Sequence, residues 1–155
     1  QDIASINTLN YIDTEVEERV LYSYRLKAED VSGNQSEYSD SISYSILPGI
    51  SIARMHPNGI DQLLGPNRNL TWFYHNSIAM EDYTITVLSQ TDILVLRDQF
   101  QPTNYLNGWE SFQILDEIIF EPGSIYKWRI DNAAAYVSNC ETSGSESLWA
   151  YFFYN

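Results

Sequence analysis

From Val20 the chain alternates: Val20, Tyr22, Tyr24, Leu26 and Ala28 are apolar or aromatic, while Ser23, Arg25, Lys27 and Glu29 between them are polar and Leu21 is the exception. A period of two predicts a half-buried β-strand. Asp30-Val31-Ser32-Gly33-Asn34 follows, rich in residues that tolerate turn conformations, and then Ile42, Tyr44 and Ile46 alternate with Ser41, Ser43 and Ser45. The two runs read as a hairpin. Leu47-Pro48-Gly49 interrupts the alternation with a residue that cannot donate to a ladder and another that favours turns, so it divides the chain into 1–47 and 48–155. A linker this short predicts a restricted angle between the two parts.

Beyond the boundary the pattern predicts strands at Ile50–Met55, around Leu70, Trp72 and Tyr74, around Tyr83, Ile85 and Val87, at Ile93–Leu96, at Ile118–Phe120, around Tyr126, Trp128 and Ile130, and at Leu148–Tyr154. His56-Pro57-Asn58-Gly59 and Gly65-Pro66-Asn67 read as turns. Asp98–Ser111 reads as a loop, because its aromatics are scattered among Asn, Gln and Gly. Seven short strands separated by turn signals predict an all-β antiparallel sandwich. The last run is apolar on both faces, which predicts that one face or edge meets another module or chain by strand addition.

One segment occurs twice. Tyr22-Ser23-Tyr24-Arg25-Leu26 matches Tyr126-Lys127-Trp128-Arg129-Ile130, Val16 falls opposite Phe120 upstream, and Ser36-Glu37 matches Ser145-Glu146 downstream. A repeated module explains the match. Phe120-Glu121-Pro122-Gly123-Ser124-Ile125-Tyr126-Lys127-Trp128-Arg129-Ile130 resembles the late strands of the fibronectin type III family, and the segment from Tyr22 to Ser36 resembles its bacterial version. The resemblance implies a fibronectin type III-like sandwich for 48–155 and only the late strands of such a module in 1–47. It further implies structural tyrosine corners at Tyr22 and Tyr126 and core tryptophans at Trp72 and Trp128. A half sandwich leaves the inner face of one sheet in water, so either the chain is a fragment of a longer protein or a partner completes it.

Composition narrows the function classes. The formal net charge is −13, spread over both parts, with three Lys/Arg against nine Asp/Glu up to Ile50 and five against twelve after it. Such a surface repels phosphate backbones and argues against nucleic-acid partners. No apolar run approaches the ~20 residues needed to span a bilayer. Cys140 is the single cysteine, so no disulfide within the chain is available, and it falls in a stretch expected to be a loop. His56 and His75 are not spaced as a helical metal pair. The carboxylates Asp13, Glu15, Glu17, Glu18 and Asp116, Glu117, Glu121 lack the spacing of a calcium loop, and no nucleophile-elbow motif is present. Asn34 and Asn69 head glycosylation sequons.

No catalytic residue, metal site or cofactor is therefore expected, and the chain is read as non-enzymatic. The leading expectation is a structural or spacer module of an extracellular or cell-surface protein, of bacterial secreted type, supporting adhesion, assembly or display of other domains. Its partners would be other modules of the same protein or neighbouring chains. A second expectation is a carbohydrate-binding accessory module of a polysaccharide-degrading protein. Phe100, Tyr105 and Trp109 would supply ring surface among hydrogen-bonding side chains, unless those rings instead cover an open sheet edge. A third is a subunit of a surface filament or outer-membrane complex, completed by a neighbour. Tyr151 and Phe153 of the last strand are the candidate contacts with a partner.

Overall fold

In a computed structural model, residues 10–75, 80–103, 107–134 and 143–155 are described. Among the described residues, ten strands form two sheets: β1 (Leu21–Tyr24), β2 (Ile42–Ile46), β3 (Met55–His56), β4 (Asn69–His75), β5 (Asp82–Ser89), β6 (Leu94–Phe100), β7 (Asn107–Gln113), β8 (Ser124–Ala134), β9 (Ser143–Glu146) and β10 (Ala150–Tyr154). The smaller sheet runs β3-β4-β7. The larger runs β1-β2-β9-β8-β5-β6, with β10 also paired to β8. The protein is all-β, and every pairing between strands is antiparallel except β2 with β9.

The core of the C-terminal part follows the period-two pattern. Leu70, Trp72 and Tyr74 from β4 face Tyr83, Ile85 and Val87 from β5 and Tyr126, Trp128 and Ile130 from β8, all buried. Trp72 packs edge-on against Tyr83 at 5.4 Å and lies 6.3 Å from Trp128, whose indole N–H donates to the Pro57 carbonyl at 2.9 Å. Burial of so much ring surface is the main stabilising term, at about 25 cal/mol per Å² of apolar area removed from water.

β8 is long enough to need two partners on one edge. Its C-terminal half pairs with β9 and its N-terminal half with β10. Between them Ser147 keeps the ladder satisfied: its N–H donates to the Ile130 carbonyl, and its hydroxyl accepts the Ile130 N–H at 3.0 Å. β9 and β10 are thus one strand interrupted by a bulge.

Several expectations are corrected. The regular strand at Val20–Ala28 stops at Tyr24, because serine hydroxyls take over the hairpin ladder: Leu26 N–H donates to Ser39 Oγ and Ala28 N–H to Ser36 Oγ. The segment Ile50–Met55 is mostly a short 3-10 turn, Ile52–Arg54, ending in a two-residue strand. Ile118–Phe120 is irregular, although Phe120 is buried against Tyr126, Phe152 and Tyr154. The missing strand is β7, which begins inside the segment read as a loop, Asp98–Ser111, and runs two residues past it; β6 enters the same segment as far as Phe100. β7 pairs with β4 over seven residues, from Asn69↔Gln113 to His75↔Asn107.

The boundary at Leu47-Pro48-Gly49 is a place where the two parts are stitched together. β2 runs parallel to β9, with Ser45 opposite Ser143 and Ile46 opposite Gly144. Leu47 is buried and its N–H donates to the Gly144 carbonyl at 2.8 Å, while Ser145 Oγ donates to the Pro48 carbonyl at 3.2 Å. Gly144 permits this approach: a Cβ there would lie 2.5 Å from the Asn132 carbonyl oxygen and 2.8 Å from the Tyr44 hydroxyl.

Candidate functional site

The two copies of the repeated segment fold alike in detail. Glu17 N–H donates to the Tyr22 hydroxyl at 2.9 Å, and Glu121 N–H donates to the Tyr126 hydroxyl at 2.8 Å. Three residues before each tyrosine the backbone turns left-handed, at Arg19 (φ 64°) and Gly123 (φ 81°). The N–H of each turn residue donates to the last residue of the paired strand, Arg19 to Ile46 at 2.7 Å and Gly123 to Tyr154 at 2.8 Å. Register then equates Tyr22 and Tyr44 with Tyr126 and Phe152, and Tyr24 and Ile42 with Trp128 and Ala150.

Burial separates the copies. Tyr126, Trp128, Ile130, Ala150 and Phe152 are all buried. Their counterparts lie in the open: Leu26 is 72% exposed, Ile42 71% and Tyr44 43%, with Tyr22 and Tyr24 half-buried. The hairpin β1-β2 therefore presents an uncovered apolar face. The Tyr24 hydroxyl donates to Asp13 at 2.9 Å, and its pKa is pushed up to about 12, by burial first and by the Asp13 carboxylate second. On the other side of the hairpin the Arg25 guanidinium stacks on the Tyr38 ring at 3.9 Å.

The outer faces of the sandwich differ from each other. On the larger sheet, Arg129 bridges Asp131 and Glu146, Lys127 pairs with Asp92, and both cations lie about 5 Å from the Trp149 ring. Asp131 is pushed above the ordinary carboxylate value by burial, and Arg129 opposes that only in part. Asp131 and Glu146 line a shallow cleft with Tyr44, Asp82, Thr84 and Asn132, where the hairpin meets the sandwich. Among the described residues no group of three or more His, Cys, Asp or Glu side chains is placed to hold a metal ion, and no helix is long and apolar enough to cross a membrane.

On the smaller sheet the rings gather outside. Trp109 of β7 is 54% exposed, meets Phe73 of β4 edge-on at 5.4 Å, and lies 6.0 Å from the His56 ring of β3. The Arg54 guanidinium covers Phe73 at 4.7 Å. The candidate aromatics of Asp98–Ser111 are thus divided. Phe100 turns inward against Trp72, Tyr83 and Phe112, whereas Trp109 faces out. Tyr105 and Cys140 lie outside the described residues. The contribution of His56 of β3, and of Arg54 in the turn before it, was hidden from sequence reasoning because the three strands are distant along the chain.

Tyr151 and Phe153 are on β10, but the edge expected to accept a partner strand is occupied by the chain itself. Gly59 N–H donates to the Tyr151 carbonyl, Leu64 N–H to the Phe153 carbonyl, and Phe153 N–H to the Gln62 carbonyl. Strand addition at that edge is blocked by Gly59–Leu64.

Three strands β3-β4-β7 facing β6-β5-β8-β10 make a fibronectin type III-like antiparallel sandwich. No protein-family model and no curated protein matches the sequence. Among solved structures, the crystal structure of chicken CNTN1 FN1-FN3 domains aligns over 94% of this chain at 14% identity, with a TM-score of 0.35. The aligned part is 46% of that structure's chain.

Proposed function

We propose that the chain is a non-catalytic structural module of an extracellular or cell-surface protein, in which successive β-sandwich units are held at a fixed angle. The observation that carries this reading is the β2-β9 pairing, which runs one sheet across the boundary at residues 47–49. Two units sharing a sheet cannot rotate about the linker without breaking backbone hydrogen bonds, each worth about 1 kcal/mol. A flexible tether would need none of these contacts.

In this reading residues 1–47 are the late strands of a unit like 48–155, and a complement with the character of β3–β7 covers the face formed by Tyr22, Tyr24, Leu26, Ile42 and Tyr44. The support is the copy-by-copy match of turn, hydrogen bond and register at the two tyrosines, set against the difference in their burial. A preceding unit or a neighbouring chain would supply the complement, which suits assembly or display of other domains.

Spin labels at Lys27 and Gln113, in a Cys140→Ser background, test the fixed angle by pulsed electron paramagnetic resonance. A single narrow distance distribution is expected. A distribution spread over tens of ångströms would refute the proposal.

A further inference from the structure

Strand alternation sends Leu70, Trp72 and Tyr74 of β4 into the core, so Asn69, Thr71 and Phe73 point outward. Their partners across β7 are Gln113, Ser111 and Trp109, and His56 of β3 stands opposite Thr71. None of these seven outward residues is Asp or Glu, in a chain that carries 21 of them and eight Lys or Arg. The outer face of the larger sheet, by contrast, is crossed by the ion pairs of Lys127, Arg129, Asp92, Asp131 and Glu146. Carboxylates have been kept off one face of an acidic molecule, where rings stand instead with the Arg54 guanidinium over Phe73.

We propose that this outer face of β3-β4-β7 is a binding platform for a neutral polysaccharide, with Trp109 stacking against a sugar ring. A pyranose offers an apolar C–H face and a rim of hydroxyls. The first fits a broad ring held in place, as Phe73 and His56 hold Trp109; the second fits side-chain hydroxyls and amides, which Thr71 and Ser111, then Asn69 and Gln113, provide in a row leading away from it along β4 and β7. A neutral chain of sugars asks for no counter-charge, matching the absence of carboxylates. A row of side chains along two paired strands suits an extended polymer better than a small ligand, which requires a concave pocket. Nucleic acid is repelled by the net charge.

The test is affinity electrophoresis of the full chain in native gels cast with β-glucan, xylan or mannan, with a polyuronate gel as the anionic comparison. Retardation is expected in at least one neutral gel. Trp109→Ala should weaken it at least tenfold, with the thermal midpoint unchanged, and Tyr151→Ala on the far side should leave it unchanged. Should Trp109→Ala disturb the fold, Gln113→Ala at an exposed position reads the same face and should weaken retardation severalfold. Free migration of the wild type in every neutral gel would overturn the proposal. So would retardation in the polyuronate gel alone, retardation insensitive to both variants, or a protein partner whose capture depends on Trp109 in a chain that ignores all three glycans.

Discussion

Gly144→Ala tests the junction between the two parts with the smallest change available. The added methyl would sit 2.5 Å from the Asn132 carbonyl oxygen, and a backbone carbonyl inside a sheet cannot rotate aside as a flexible side chain would. β9 must lift from β8, and the hairpin must also give way at Tyr44, whose hydroxyl lies 2.8 Å from the same point. Forcing a methyl group into a filled site costs about 1–3 kcal/mol. Separation of the hairpin also loses the Leu47 N–H to Gly144 bond, worth about 1 kcal/mol. Destabilisation of about 2 kcal/mol is expected. In urea denaturation followed by tryptophan fluorescence this lowers the midpoint by about 1 M, for a slope of about 2 kcal/mol/M. Gly65→Ala, where a Cβ meets nothing within 4 Å, is the matched control and should change little. If Gly144→Ala unfolds within about 0.3 kcal/mol of the wild type, the close packing of hairpin on sandwich is refuted.

Arg19 holds a left-handed conformation that its counterpart Gly123 adopts without steric cost, so Arg19→Gly should stabilise the chain by about 0.5–1 kcal/mol in the same urea assay; destabilisation would contradict the equivalence of the two turns. Tyr126→Phe removes a hydrogen bond in a buried setting and should cost about 1–1.5 kcal/mol, whereas Tyr22→Phe, in the uncovered copy, should cost less than half of that. The Asp30 carboxylate accepts from the Asn34 side-chain amide and from the N–H groups of Asn34 and Ser32, bonds that hold its pKa below the ordinary 3.8. The turn at Asp30–Asn34 is therefore fully held above pH 3.8 and loosens as pH falls through the lower folded value, which amide exchange at Ser32 and Asn34 will show; loosening already complete at pH 5 would contradict it. The uncovered face of Leu26, Ile42 and Tyr44 should bind an apolar fluorescent dye, and Leu26→Lys with Ile42→Lys should abolish most of the signal; no dye binding by the wild type would mean that the face is covered.

The sandwich was legible where burial is one-sided. Leu70, Trp72, Tyr74 and Tyr126, Trp128, Ile130 announce both inner faces because a strand between core and solvent must alternate. The repeat around Tyr22 and Tyr126 was legible as well, since in each copy the tyrosine hydroxyl must meet the N–H five residues before it. β7 was not, because Asn107-Gly108 at its start and Glu110, buried and hydrogen-bonded to Thr103, break the expected apolar alternation. The closed edge of β10 was not legible either, as Gly59–Leu64 covers it with backbone groups that leave no side-chain pattern. The ring cluster on the smaller sheet was half legible: Trp109 stands out in the sequence, but its neighbours Phe73, His56 and Arg54 converge only through pairing of β3, β4 and β7.

The central claim is that the hairpin and the sandwich move as one body through the shared sheet. Residual dipolar couplings measured for the amides of residues 21–24 and 42–46 and, separately, for 50–154 test it most directly, since each set defines its own alignment tensor. Equal tensors, in magnitude and orientation, are what the β2-β9 pairing predicts. A tensor for the hairpin reduced well below that of the sandwich would contradict the account, because it would mean that the hairpin reorients about Pro48 and Gly49.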